Sequence, residues 1–192
     1  MGRHPDAGRR QELLDRVVAY LAEHGLADVS LRPMARAVGV SVNALVHHFG
    51  AKEELVVAAL ARAAEVQAQL EWQWLARHPE LTEAELLRRW WRWINASPAN
   101  LAVVRLGIEA AALDATASGL PGAVRADQIA PWRANIEQRL VAEGMEPEQA
   151  ALEAPLVKAM FTGLVVDLLA TGERRRLTAS LELGVSRLHP SV

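Results

Sequence analysis

The sequence predicts an all-α fold of about nine helices with a helix-turn-helix near its start. Three observations carry this. Apolar residues recur at i, i+3 and i+4 through most of the 192 residues. Gly, Pro, Ser and Thr fall between the periodic stretches, where helices start and stop. No stretch alternates apolar and polar residues as a half-buried strand would.

After an arm from Met1 to Gly8, the segment Arg9 to His24 places Leu13, Leu14, Val17, Val18 and Leu21 at helical spacing and stops at Gly25. Two short helices follow. Ser30 stands where it would N-cap the first, with Pro33 in the opening turn and Gly39 at the end. Ser41 caps the second, in which Leu45 and Phe49 share one face while Val42, Asn43, Val46 and His47 point elsewhere. Val29 with Met34, and Val40 with Leu45, occupy the staple positions that fix how the chain enters each helix. From Lys52 an unbroken pattern runs to Arg77, with Pro79 just beyond it. Thr82 caps a helix through Trp90, Trp91, Trp93 and Ile94 that ends near Asn95 to Pro98, and Asn100 to Ala117 forms the next. Ser118 to Gly122 is a turn cluster. Ala123 to Glu143 is helical with a kink or break expected at Pro131, and Gly144 closes it. Pro147 suits the first position of a helix reaching Gly172, with a bend expected at Pro155; the last helix, Glu173 to Leu188, ends before Pro190.

Composition narrows the possibilities. There is no cysteine, which excludes disulfides and thiolate metal sites and fits a reducing compartment. The N-terminus lacks the apolar core of an export signal, and Asp6 stands where a myristoylation motif needs Ser or Thr. The most apolar stretch, Ala154 to Ala170, is interrupted by Lys158 and Asp167 and reads as too short to span a bilayer, so a soluble cytoplasmic protein is expected. A net charge of −2 argues against indiscriminate coating of nucleic acid. The charge is uneven, however: residues 1–52 carry 7 Lys+Arg against 5 Asp+Glu, and the remainder 14 against 18. A small DNA-binding head on an acidic body fits that balance.

The order of parts over residues 9–56 resembles the DNA-binding head of the TetR family of bacterial transcriptional repressors. The residues that carry the resemblance are Gly25, Ser30, Ala35, Gly39-Val40-Ser41, Leu45-Val46-His47-His48-Phe49 and Ala51-Lys52-Glu53-Glu54-Leu55. Two positions depart from the family's pattern. Val46 replaces the usual Tyr that reaches a phosphate, and Ala51 replaces the usual Ser that caps the next helix.

Helix-turn-helix logic and the resemblance together imply a DNA-binding set of Ser30, Ser41, Val42, Asn43, Ala44, Val46, His47 and Lys52. Ser30, Ser41, His47 and the amide at Lys52 would hold phosphates, while Val42, Asn43 and Ala44 face bases. Asn43 is the one of these able to make a two-point hydrogen bond, which suits adenine, and a valine such as Val46 can touch a thymine methyl. Arg3, Arg9 and Arg10 are candidates for an arm toward the minor groove. Neighbouring His47 and His48 diverge by about 100° on a helix, so no metal site is expected of them.

The resemblance further implies a DNA-binding domain at 1–52 and a ligand-binding and dimerisation domain at 53–192. The last two helices would pair with their copies through Phe161, Leu164, Leu168, Leu181 and Leu188, so that two recognition helices address a palindromic double-stranded operator. Of six Trp, Trp90, Trp93 and Trp132, together with Glu109 and Asp114, are candidates to line a cavity for an apolar or cationic effector. The function implied is a ligand-responsive homodimeric repressor without a cofactor. A helical small-molecule-binding protein or enzyme that does not use its head for DNA is the alternative, favoured by Val46 and the weakly charged head; an adaptor working through protein contacts is a third reading. Against an enzyme stands the lack of any legible nucleophile, metal cluster or phosphate loop.

Overall fold

Punctuation residues set the helix boundaries in the computed structural model, which describes residues 5–115 and 125–188, with side chains over 8–113 and 132–187. The helices are α1 (Pro5–His24), α2 (Leu31–Ala37), α3 (Val42–Phe49), α4 (Lys52–Arg77), α5 (Glu83–Ala96), α6 (Pro98–Ala115), α7 (Arg125–Ala142), α8 (Pro147–Thr171) and α9 (Arg174–Leu188). Among the described residues there is no strand.

Three details differ from the sequence reading. The first helix begins at Pro5, because proline is pre-shaped for an opening turn, so Asp6 to Gly8 continue α1 and do not form an arm. Pro98 opens α6 in the same way, two residues before the expected start, with the Ser97 hydroxyl accepting from the Asn100 N–H at 3.1 Å. Pro131 lies inside α7 without breaking it, and α8 runs on through Pro155. An interior proline costs about 3 kcal/mol, and α8 offsets it by burying Ala150, Ala154, Val157, Phe161, Val165 and Leu168. Arg3 and the turn cluster Ser118 to Gly122 lie outside the described residues.

Packing gathers two compact units. One holds the described residues up to Glu71 with those of α6 from Ala102; the other holds Trp72–Leu101 with the described residues from Asp127. In the first, Leu13, Val17, Leu21, Met34, Leu45 and Leu55 make the centre of the core, and Leu106 and Ala110 of α6 complete it. Asp15 of α1 and Arg62 of α4 pair at 2.7 Å, and this hydrogen bond holds the guanidinium above its ordinary pKa.

In the second unit α9 packs on both α5 and α8. The Trp91 indole N–H donates to the Thr178 hydroxyl at 2.8 Å, and Arg88 pairs with Glu182 at 2.8 Å. Glu83, buried at the start of α5, pairs with Arg139 of α7 at 2.5 Å. Its N–H donates to Glu143 at 2.6 Å. Phe161, Leu168 and Leu181, expected at a contact with a second copy, are buried inside this unit at 5%, 3% and 1% exposure, where α9 packs on α8 and α5 and Phe161 meets Trp91. Leu164 is half-buried, and the side chain of Leu188 is outside the described set. The apolar face left open is a different one. Leu152, Leu156, Ala159, Gly163 and Val166 are exposed at i, i+4, i+7, i+11 and i+14 on α8, and Leu183 is exposed on α9.

The apolar run expected to be too short for a bilayer belongs to a longer helix. At 25 residues, with a mean hydropathy of 1.5 over its richest window, α8 is long and apolar enough to cross one by length and composition. Lys158 on this helix is half-buried, and burial first, then the nearby Arg133, hold its ammonium below the ordinary lysine pKa.

Candidate nucleic-acid interface

One serine cap and two glycine turns shape the surface formed by α2 and α3. At the end of α2 the Val40 N–H donates to the Ala35 carbonyl at 3.0 Å and the Gly39 N–H to Arg36 at 3.3 Å. This double closure requires a left-handed residue, which Gly39 supplies at φ +73°. Arg16 of α1 donates to the Val38 carbonyl at 2.8 Å and fixes the turn from below. Ser41 then caps α3, its hydroxyl accepting from the Ala44 N–H at 3.1 Å. Ser30 sits at the cap position of α2 with extended backbone, yet its side chain makes no capping bond and is exposed.

The face of α3 opposite Leu45 and Phe49 carries Asn43, Val46 and His47, all exposed, at i, i+3 and i+4. Val42 and Ala44 are half-buried, and Val42 leans on the core. His47 and His48 stand edge to face at 5.4 Å between ring centroids. Of the eight sequence-predicted residues, then, Ser30, Ser41, Asn43, Val46, His47 and Lys52 are brought to the surface around one helix pair, while Val42 and Ala44 sit at its margin. Lys52 pairs with its neighbour Glu53 at 3.6 Å.

The junction between α3 and α4 shows how Ala51 is accommodated. Glu54 accepts from the Ala51 N–H at 2.7 Å, the carboxylate half of a capping box whose hydroxyl half Ala51 lacks. Of the expected arm, Arg10 is committed to the head: its Nε donates to the His48 carbonyl at 3.2 Å and its guanidinium lies 4.7 Å from the Phe49 ring centroid. Arg9 is exposed.

Two residues escaped the sequence reading. From Ser30 to Ala51 the chain has Arg32 and Arg36 and no carboxylate, and both guanidinium groups are exposed on α2. The local charge between Ser30 and Ala51, and not the net charge of the whole head, was the signal that would have found them.

The predicted effector residues fall in both packing units. Trp90 and Trp93 meet edge to face at 5.4 Å, and Trp90 meets Trp74 likewise at 4.9 Å. Arg89 lies 5.4 Å from the centroid of Trp74. Trp132, half-buried, packs against Phe161 at 6.1 Å. Glu109 belongs to the first unit, where it pairs with Arg105 at 3.0 Å and accepts from the Leu26 N–H at 2.9 Å. The side chain of Asp114 is outside the described set.

Residues 13–59 match the model of a family described as bacterial regulatory proteins, tetR family. The chain is similar to the HTH-type transcriptional repressor KstR2 of Rhodococcus jostii strain RHA1, 44% identical over 50 residues, which are 26% of this chain and 24% of that repressor. It is likewise similar to the repressor AcnR of Corynebacterium diphtheriae, 42% identical over 65 residues, 32% of this chain and 34% of that one. The match thus spans about a quarter to a third of the length of these curated relatives. The fold as a whole is similar to that of a transcriptional regulator from Rhodococcus sp. RHA1, with a TM-score of 0.73 at 23% identity over 93% of this chain and 95% of that one. It is similar as well to the multidrug binding protein EbrR complexed with imidazole, with a TM-score of 0.68 at 24% identity over 100% and 95% of the two chains.

Proposed function

We propose that this chain, which belongs to the TetR family of bacterial regulatory proteins, is a DNA-binding transcriptional repressor that acts as a homodimer and responds to a small molecule. The observation that carries the reading is the helix pair α2–α3, which exposes Asn43, Val46 and His47 on α3 and Arg32 and Arg36 on α2 with no carboxylate between Ser30 and Ala51. Exposed arginines and an unspent Ser30 hydroxyl suit phosphates, and a polar helix face suits base edges. The head is residues 1–52, and residues 53–192 bind the effector and the second copy.

Dimerisation through α8 and α9 is supported by the open stripe from Leu152 to Val166, whose 4-3-4-3 spacing is that of a helix-bundle seam, with Ala159 and Gly163 small enough for close approach. The effector is apolar on this reading. Arg89 already stands over Trp74, and the Glu109 carboxylate that a cationic ligand would want is paired with Arg105. The Arg105 guanidinium also donates to the Ala22 carbonyl at 2.8 Å, so α6 is fastened to the end of α1 at two points, Ala22 and Leu26. A ligand that favours one placement of α6 would shift the head's binding equilibrium by its differential affinity and no further. Such a protein is a regulator, not an enzyme, and is at home in the cytoplasm, where its operator is.

Selection of binding sequences from a random duplex pool at moderate salt tests the core of the proposal. A two-fold symmetric site is expected, and Asn43→Ala should relax preference at one base pair in each half. Recovery of no symmetric site would overturn it.

A further inference from the structure

Resting on that DNA-binding reading, we infer that the half-site addressed by α3 is built on A·T pairs, with a thymine 5-methyl seated against Val46 and an adenine edge against Asn43. The eight residues of α3, Val42–Phe49, include no Arg, Lys, Asp or Glu. Guanine is read most often by the cationic fork of Arg or Lys at O6 and N7, and cytosine by a carboxylate at N4; α3 has neither. The described cations of the head lie on other elements: Arg9, Arg10 and Arg16 on α1, with Arg10 bound to His48 and Phe49 and Arg16 to Val38, Arg32 and Arg36 on α2, and Lys52 on α4 beside Glu53.

What α3 does offer is an apolar plug between polar neighbours. Val46 is 44% exposed, the one large apolar side chain in α2 and α3 so open, and it is flanked on the same face by Asn43 and His47. Driving it against a polar base edge would leave that edge dehydrated and without a partner, which is unfavourable. The major groove offers a single apolar group, the thymine C5-methyl. An Asn side chain one turn earlier on the same face matches the N6/N7 pattern of adenine, so the two residues together select adjacent or near-adjacent A·T and T·A pairs. The exposed arginines of α2 supply sequence-independent attraction to phosphates.

The test uses the full chain and its selected operator, in which each thymine is replaced in turn by deoxyuridine. Base pairing is unchanged and only the 5-methyl is lost. At one position in each half-site the replacement should weaken binding by about fourfold, the value of one methyl group removed from an apolar contact. For Val46→Ala, checked for native helicity by circular dichroism, the same replacement should change nothing, while replacements elsewhere act alike on both proteins. A selected half-site with a G·C core, or a scan in which no deoxyuridine effect depends on Val46, would overturn the inference while leaving the DNA-binding reading intact. Selection of no symmetric site at all would remove both.

Discussion

Single residues decide how the head meets its target. Gly50 ends α3 at φ +82°, a conformation that L side chains rarely adopt, and a Cβ there would push aside the Glu54 carboxylate that caps the Ala51 N–H. The rigid corner it makes aims the exposed face of α3. Arg36, one turn after Arg32, sits in the last turn of α2 with its charge open to solvent. As a phosphate contact it carries no base information. Arg36→Ala should therefore weaken all duplexes alike and lower the slope of log K against log salt by about 0.9 per head, measured by fluorescence anisotropy across a salt series. A change in the selected sequence instead would move Arg36 to the base-reading set.

At the scale of elements, α5 shows a complete capping box. The Thr82 hydroxyl accepts from the Glu85 N–H at 3.3 Å, and Glu85 accepts from the Thr82 N–H at 2.9 Å. The Thr82 backbone N–H first, then its hydroxyl, hold the Glu85 carboxyl below its ordinary value. Because the folded pKa is depressed, this contribution is present above pH 4.5 and is lost as the pH falls through the folded value. Thr82→Ala should cost about 1 kcal/mol in urea unfolding at neutral pH. The difference from the parent should shrink toward acid, and a deficit independent of pH would count against the box. The α4 start, with only the carboxylate half, lacks the hydroxyl bond that α5 has.

For the whole molecule the open stripe on α8 and α9 carries the sharpest expectation. Leu152, Leu156 and Leu183 are 72%, 63% and 55% exposed, and a leucine moved from water into a seam is worth about 2 kcal/mol. Leu156→Lys combined with Leu183→Lys adds two charges per copy at such a seam without disturbing residues buried within the chain. Light scattering should report a dimer for the parent and a monomer for the variant, with operator affinity falling at least tenfold. A variant that stays dimeric would place the contact elsewhere.

Helix type, the two turns of the head and the Ser41 cap were legible in the sequence, because glycine conformation, cap chemistry and 3.6-residue periodicity are local properties, whereas the expected Ser30 cap is not made. Asn43, Val46 and His47 were legible for the same reason, since they lie opposite a face that must be buried. Residues that meet across the fold were not. The pairing of Arg105 and Glu109 with the end of α1, the burial of Phe161 and Leu181, and the withdrawal of Arg10 from a free arm depend on which helices become neighbours. An apolar stripe states that a face is covered and leaves open by what: only the tertiary structure decided that one face of α8 fills the chain's own core while Leu152 and Leu156 face outward.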